Sequence, residues 1–318
     1  GGITPSKEYI FSALEHGLSV VSANKDLVAL YGPDIIHKAI ENHVNFSCEA
    51  SVGGGIPILM PLHQSLAANQ IESIVGILNG TTNYILSQMT ETGVNYANAL
   101  ADAQKQGFAE ADPTNDVCGF DAARKLAILS SIGFRANVTF DDVLVEGIEK
   151  IDKSDIQYAK DMGYTIKLLT VALRQENGIA LNVYPAFLPD NHPLSSVKGA
   201  YNAIYVTGNI VDDVMFYGRG AGALPTASAV MGDVISTAQH ILNGSTGTGM
   251  IMTDTKRIPF YSSLKLQNSY YFRLDVDDVT GVLSQIAAAF AENDISICEV
   301  VQKRKTKGLA ELVLITEL

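Results

Sequence analysis

The stretch from Ala103 to Lys125 sets Glu110, Asp112, Asp116, Asp121 and Lys125 on a loop and on the helix that the loop feeds. Asp121 and Lys125 are four residues apart, so on a helix they share one face with the acid on the amino-terminal side, the favourable order for an ion pair. An exposed pair of this kind is common and weak. The flanks point to burial instead, because Leu126, Ile128 and Leu129 are apolar while Cys118, Gly119, Ala122 and Ala123 are small enough for close packing. A lysine drawn partly out of water gives up its proton more easily, as a general acid or base working near neutral pH must.

Three further groups are candidates. Asn24-Lys25 falls at the end of a parallel-strand pattern, where open α/β sheets bind ligands, although a solvated loop lysine is an equally good reading. Glu49, Val52, Gly53, Gly54, Gly55 and Ile56 place a carboxylate beside a glycine turn whose carbonyls could converge on a cation, or which is a tight turn and nothing more. Gly218-Arg219-Gly220-Ala221-Gly222 opens a helix near Pro225-Thr226, and backbone N–H groups at a helix start suit phosphate or carboxylate. It does not spell a dinucleotide fingerprint. The six histidines, at 16, 37, 43, 63, 192 and 240, show no ligand spacing. Cys48, Cys118 and Cys298 are scattered, which suggests neither a disulfide framework nor a zinc site and fits a reducing cytoplasm.

The elements that must position these residues alternate at first between helix and strand. Ser6 is expected to cap a helix ending near His16-Gly17, Ser19 to Ser22 reads as a strand, Pro33 as the start of a second helix, and Val44 to Cys48 as a second strand. That rhythm means a parallel sheet. After the glycine turn and a helix beyond Pro57 and Pro61, Ile71 to Leu78 reads as a strand, Asn79-Gly80 as a turn, and Thr82 to Thr92 and Tyr96 to Gln106 as helices. One long helix is expected to follow the loop 107–115 and run to Ile132-Gly133. Strand patterns at Ile166 to Leu173, Ile179 to Phe187 and Ala203 to Val206, then a helix from Thr226 to Leu242, complete an α+β unit. Residues 243–267 read as a linker. A β-α-β-β pattern follows: Tyr270 to Val276, Val282 to Glu292, Ile295 to Gln302 and Ala310 to Thr316.

The 318 residues allow two or three domains, and 47% hydrophobic against 18% charged residues marks a globular chain. A formal charge of −12 repels phosphate backbones and anionic lipid, so neither nucleic acid nor membrane is an expected partner. No apolar run has the length of a membrane helix. The chain opens at Gly1-Gly2 without methionine and stops in a strand pattern, so a piece of a longer protein is expected.

The stretch Ala103 to Lys125, with Gly107, Asp112-Pro113, Asp116, Gly119, Asp121 and Lys125, closely resembles the signature of the homoserine dehydrogenases. Supporting matches are Gly1-Gly2-Ile3, Ala23-Asn24-Lys25, Glu49-Ala50 with Val52 to Gly55, Asn79 to Ile85, and Gly220 to Gly222 with Pro225 to Ala229, in family order over about residues 1–233. The resemblance implies the end of a Rossmann-like dinucleotide-binding domain over 1–48, a catalytic and dimerisation domain over 49–242, a linker over 243–267 and a partial, ferredoxin-like ACT domain over 268–318. It implies interconversion of L-homoserine and L-aspartate 4-semialdehyde with NADP or NAD, in a cytoplasmic homo-oligomer, dimer or tetramer. Lys125 and Lys25 would be catalytic, Glu110, Asp116 and Asp121 would bind substrate, and Ala23, Lys25, Gly220 and Gly222 would touch the cofactor. Glu49, Val52, Gly54 and Ile56 would hold Na or K, largely through backbone oxygens, and threonine would be an effector at the ACT domain. The family's dinucleotide fingerprint lies upstream of Gly1, so alone these residues would lack the adenosine pocket. A non-catalytic amino-acid-binding or dimerisation fragment, and another amino-acid oxidoreductase, stand as alternatives.

Overall fold

The computed structural model describes residues 2–247, 258–261, 266–304 and 308–318. Residues 1–263 pack as one compact unit and 264–318 as a second.

In the first unit, α1 (Ile3–Glu15) and α2 (Lys25–Glu41) pack beside two short parallel strands, β1 (Val20–Val21) and β2 (Phe46–Ser47). This is a β-α-β crossover, as the alternating pattern predicts. Two boundaries differ. Ser6 lies inside α1, and α2 begins at Lys25, eight residues before Pro33, which sits in the helix interior. Asn24 sets that start, because its Oδ1 accepts from the Leu27 N–H at 3.1 Å. Burial of Leu27, Val28, Ile35 and Ile36 then offsets the hydrogen bond lost at the proline.

The centre of this unit is a six-stranded mixed sheet in the order β4-β6-β5-β3-β7-β8. Its strands are β3 (Ile71–Ile77), β4 (Leu144–Val145), β5 (Tyr164–Gln175), β6 (Gly178–Pro189), β7 (Tyr201–Gly208) and β8 (Asp212–Arg219). Only the β4–β6 pair is parallel. Five helices accompany it: α3 (Gly80–Thr92), α4 (Tyr96–Lys105), α5 (Thr114–Val117), α6 (Phe120–Gly133) and α7 (Lys153–Asp161). The sequence pattern misses β4 and α7. It also runs α5 and α6 together, whereas the chain breaks at Gly119, whose φ of 83° is left-handed. A side chain there would also press on Val145 and Val183 of the sheet edge.

The expected turn at Asn79-Gly80 is instead a helix start, with Asn79 Oδ1 accepting from the Thr82 N–H at 2.8 Å. The segment after Pro57 closes as a single wide turn, Pro61–Ser65. Helix α8 (Ala223–Leu242) buries Asp233 and Thr237 rather than its apolar residues, for Met231, Val234, Ile235 and Ile241 are exposed. Asp233 Oδ2 accepts from the Glu49 N–H at 2.8 Å, and Thr237 meets Ser47. Part of the expected linker is structured, since Phe260 bridges to Ile179 at the start of β6. Residues 248–257 and 262–265 of that stretch lie outside the described residues.

The second unit is β9 (Tyr271–Asp277), α9 (Val282–Glu292), β10 (Ile297–Arg304) and β11 (Leu309–Thr316), with β11 central in an antiparallel sheet ordered β10-β11-β9. The β-α-β-β order is as expected from sequence; the basic turn's residues 305–307 lie outside the described residues. Among the described residues no helix is long and apolar enough to cross a membrane.

Candidate active site

Four chain segments meet at Asp121, which is 4% exposed on the first turn of α6. Lys25 Nζ, at the first position of α2, lies 2.6 Å from its Oδ1. Lys125 Nζ, one turn along α6, lies 2.7 Å from its Oδ2 and also donates to the Leu78 carbonyl at 2.9 Å. Asn79 Nδ2 donates to Asp121 Oδ2 at 3.0 Å and to Asp116 Oδ1 at 2.7 Å. The carboxyl end of β3 therefore contributes a carbonyl and an amide to the cluster. One asparagine caps a helix with its oxygen and bridges two carboxylates with its nitrogen.

The electrostatics follow from this packing. Burial works to raise the Asp121 pKa, but the charges of Lys125 and Lys25, with hydrogen bonds from both, hold its carboxyl well below the usual carboxylate range. For Lys25, burial works to lower the pKa; the charge and hydrogen bond of Asp121, aided by Asp26 and Asp116, override it and leave the value above that of an ordinary lysine. Burial pushes Asp116 up, with the Asn79 hydrogen bond opposing and the Asp121 charge reinforcing. The result is an ionised carboxylate fixed between two ammonium groups, one 11% and the other 36% exposed on its side chain. Arg124 lies 3.5 Å from Asp26, a second link between α6 and the start of α2.

Of the other expected site residues, Glu110 is exposed in the loop before α5, and its carboxylate has no partner among the described residues. Its carbonyl accepts from Gln104. Ala23 is exposed just before the cap of α2. Gly54 and Gly220 lie back to back: a Cβ on Gly54 would overlap the Gly220 carbonyl, and Gly55 donates to the Arg219 carbonyl at 3.0 Å. Gly222 immediately precedes α8, with φ 117° and no side chain over the first turn. The glycine turn at 53–56 and the glycine loop at 218–222, far apart in sequence, are thus one packed feature.

Glu49 departs from the simplest cation reading. Its carboxylate accepts from the N–H groups of Ile58 at 2.5 Å, Leu59 at 2.7 Å and Met60 at 2.9 Å, capping the turn that follows. The carbonyls of Val52, Gly54 and Ile56 accept no hydrogen bond among the described residues. No group of three or more His, Cys, Asp or Glu side chains that could hold a metal ion occurs among them. Asn79 is the residue that sequence reasoning left out of the site. An asparagine at a strand end with Thr82 three residues on is a helix-cap signal, and it marks where the strand hands its end to the cluster.

Two lysines held by one buried carboxylate at a strand end, on an α/β scaffold, make an arrangement of the kind that enzyme active sites use to move protons. The profile of the family described as Homoserine dehydrogenase matches residues 57–235, and the homoserine dehydrogenase of Bacillus subtilis is 42% identical over 319 residues, spanning 99% of this chain and 73% of that relative. The chain belongs to the homoserine dehydrogenase family of NAD(P)-dependent oxidoreductases. The homoserine dehydrogenase of Mycobacterium tuberculosis H37Rv is 46% identical, spanning 95% of this chain and 69% of that one. The crystal structure of a homoserine dehydrogenase from Thiobacillus denitrificans superposes with a TM-score of 0.94 at 40% identity, covering 100% of this chain and 73% of that one. A hyperthermophilic archaeal homoserine dehydrogenase in complex with NADPH superposes with a TM-score of 0.64 at 29% identity, covering 73% of this chain and 67% of that one.

Proposed function

We propose that the Asp121 cluster is the proton-transfer and substrate site for interconversion of L-homoserine and L-aspartate 4-semialdehyde. The observation that carries this is the grip of one buried carboxylate on two lysines, Lys25 and Lys125, from opposite oxygens. Lys125 Nζ uses two N–H groups on Asp121 and Leu78, which leaves the third for a substrate oxygen. In the reducing direction that ammonium gives its proton to the aldehyde oxygen as the new C–H bond forms. In the oxidising direction the neutral amine takes the hydroxyl proton as that C–H bond breaks. NADP or NAD, when bound, accepts or supplies the hydride. Lys25 keeps positive charge beside the same oxygen and either shares the proton path or holds the substrate carboxylate. Asp116, Asp121 and the unpartnered Glu110 supply negative charge for the substrate ammonium.

Gly54 packs on Gly220 and Gly220 on Asn202, which fixes the glycine loop, while Gly222 leaves the first turn of α8 bare; the cofactor is taken to lie against Ala23, Gly220 and Gly222 there. The free carbonyls of Val52, Gly54 and Ile56 fit a hard monovalent cation, Na or K, with Glu49 acting through its backbone and as the cap of the neighbouring turn. We read residues 1–48 as the end of the dinucleotide-binding domain, 49–242 as the catalytic and dimerisation domain, 243–267 as the linker and 268–318 as part of an ACT domain. A cavity of ≈ 180 Å³ at its strand-to-helix turn, lined by Asp277, Gly281, Leu283 and Gln302 among others, suits an amino-acid effector such as threonine. The enzyme is taken as a cytoplasmic dimer or tetramer.

The test is homoserine-dependent reduction of NADP in the active enzyme and its Lys125→Ala variant, with homoserine binding followed by calorimetry. Turnover lost while binding persists is expected. Wild-type turnover in Lys125→Ala removes that lysine from the reaction, and a faster alcohol than homoserine overturns the substrate.

A further inference from the structure

The amide of Asn202 stands out for what it does not do. Asn202 is the second residue of β7 and 1% exposed, yet among the described residues neither its Nδ2 nor its Oδ1 has a hydrogen-bond partner. A buried donor and acceptor left unmade work against the fold. Native folds keep such groups rarely, and functional sites are one of the places where they occur.

The position of the amide gives the reason. It lies under Gly220, so closely that a Cβ there would fall within it, and β7 pairs Asn202 with Gly218 just before that loop. On its other side, a Cβ on Gly80 would lie 3.5 Å from Asn202 Oδ1, and Gly80 follows Asn79, the bridge between Asp116 and Asp121. The strand pairing ends at Tyr201 and Arg219, so the backbone from Gly220 to Gly222 runs on without ladder partners. Gly222 places no side chain over the first turn of α8, whose leading N–H groups have no partner within the helix. The unmade amide of Asn202 thus lies against the backbone at Gly220, while of the loop carbonyls Gly222 already accepts from the Thr226 N–H at 3.0 Å.

We propose that Asn202 is a positioning residue for the cofactor loop: its amide makes its hydrogen bonds to the 220–222 backbone when the cofactor seats that loop. This rests on the assignment of Gly220 and Gly222 to cofactor binding. In the free protein the amide destabilises slightly; in the bound protein it fixes the loop beside the substrate cluster. No contact between Asn202 and substrate is required.

The experiment uses the active enzyme that carries this chain, with NADPH as probe, and measures NADPH Kd and Tm with and without NADPH. For Asn202→Ala the expected result is a Kd raised roughly tenfold, the loss of one buried hydrogen bond, with Tm in the absence of NADPH unchanged or higher. Asn202→Ser, which keeps a hydroxyl, should recover part of the affinity and serves if the alanine variant does not fold. An NADPH Kd within twofold of wild type in a folded Asn202 variant overturns the proposal, as does a lowered Tm without NADPH at unchanged Kd, which would make the amide purely structural. Gly222→Ala separates the two assignments. If it weakens NADPH while Asn202→Ala does not, only the role of Asn202 falls; if it leaves NADPH binding intact, the loop assignment falls and takes this inference with it.

Discussion

Lys25 and Lys125 never touch the same atom, yet one residue holds both: Asp121 offers Oδ1 to the first at 2.6 Å and Oδ2 to the second at 2.7 Å. Two ammonium groups brought to one site would repel each other without the carboxylate between them. Asp121 is therefore both the counter-charge that lets the two lysines gather and the clamp that joins α2 to α6.

Asp121→Asn should be the most damaging single change at the site. Removing one partner of a buried ion pair leaves charge unpaired, a loss of roughly 3 kcal/mol in stability. Because the Asp121 pKa is depressed in the fold, its contribution is present above the unfolded value of about 3.9 and is lost as pH falls through the lower folded value. Lys25 behaves oppositely: its raised pKa stabilises fully below about 10.4 and the gain is lost as pH rises through the folded value. In Asp121→Asn the basic limb of the kcat profile should shift to lower pH. A profile that does not move would separate Asp121 from the protonation of the lysines.

Lys125→Ala should lower kcat by about 10²–10⁴, the usual range for a lost general acid or base. KM for homoserine should change far less, which steady-state kinetics at saturating NADP would establish. Lys25→Ala is expected to affect kcat and KM together, because Lys25 faces solvent more and lies nearer the proposed cofactor contact at Ala23.

Asn79 permits its two functions to be separated. Asn79→Asp keeps an acceptor for the Thr82 N–H and hence the cap of α3, whereas Asn79→Ala loses it at about 1 kcal/mol. Both remove the donor that bridges Asp116 and Asp121, and the aspartate adds a third negative charge. Asn79→Asp should therefore be the less active of the two despite keeping the cap, as homoserine KM would report. Greater activity in Asn79→Asp than in Asn79→Ala would refute the bridging role.

Lys167 should shape the pH dependence of stability. It is 2% exposed on β5, donating to Asn83 Oδ1 at 3.0 Å and to the Val197 carbonyl at 2.5 Å. Burial, reinforced by Lys198 and opposed by Glu91, pushes its pKa down to about 8. Below that value the fold carries a buried charge; as pH rises from about 8 toward the unfolded value of about 10.4, the penalty is relieved and this group's effect on stability improves. Lys167→Met should abolish that gain. Parallel Tm curves for wild type and variant over this interval would show that Lys167 does not titrate there.

Gly54→Val should disturb both glycine segments at once, because its side chain meets the Gly220 carbonyl and the φ of 56° is unfavourable for a branched residue. The expected outcome is a higher NADP KM and loss of any response of turnover to Na or K. An unchanged cation response would remove the 52–56 carbonyls from the ion site.

Much of this site is legible in one dimension. The four-residue spacing of Asp121 and Lys125 is a property of any helix, so the ion pair follows from local sequence, as does the burial of their helix through Leu126, Ile128 and Leu129. So do the β-α-β crossover and the β-α-β-β pattern, whose hydrophobic periods are local. What tertiary structure alone decides is which distant residues complete the site. Nothing in the spacing between Lys25 and Asp121, or between Asn79 and Asp116, brings them together; sheet order and helix packing do. The same holds for single residues. Asn79 looks like a turn residue until the fold makes it a helix cap, the Glu49 carboxylate shows its three N–H partners only in the folded chain, and Asn202 carries no signal until Gly220 closes over it. Local sequence sets helices, strands and their neighbours within a few residues, whereas contacts across tens of residues depend on how the buried faces pack.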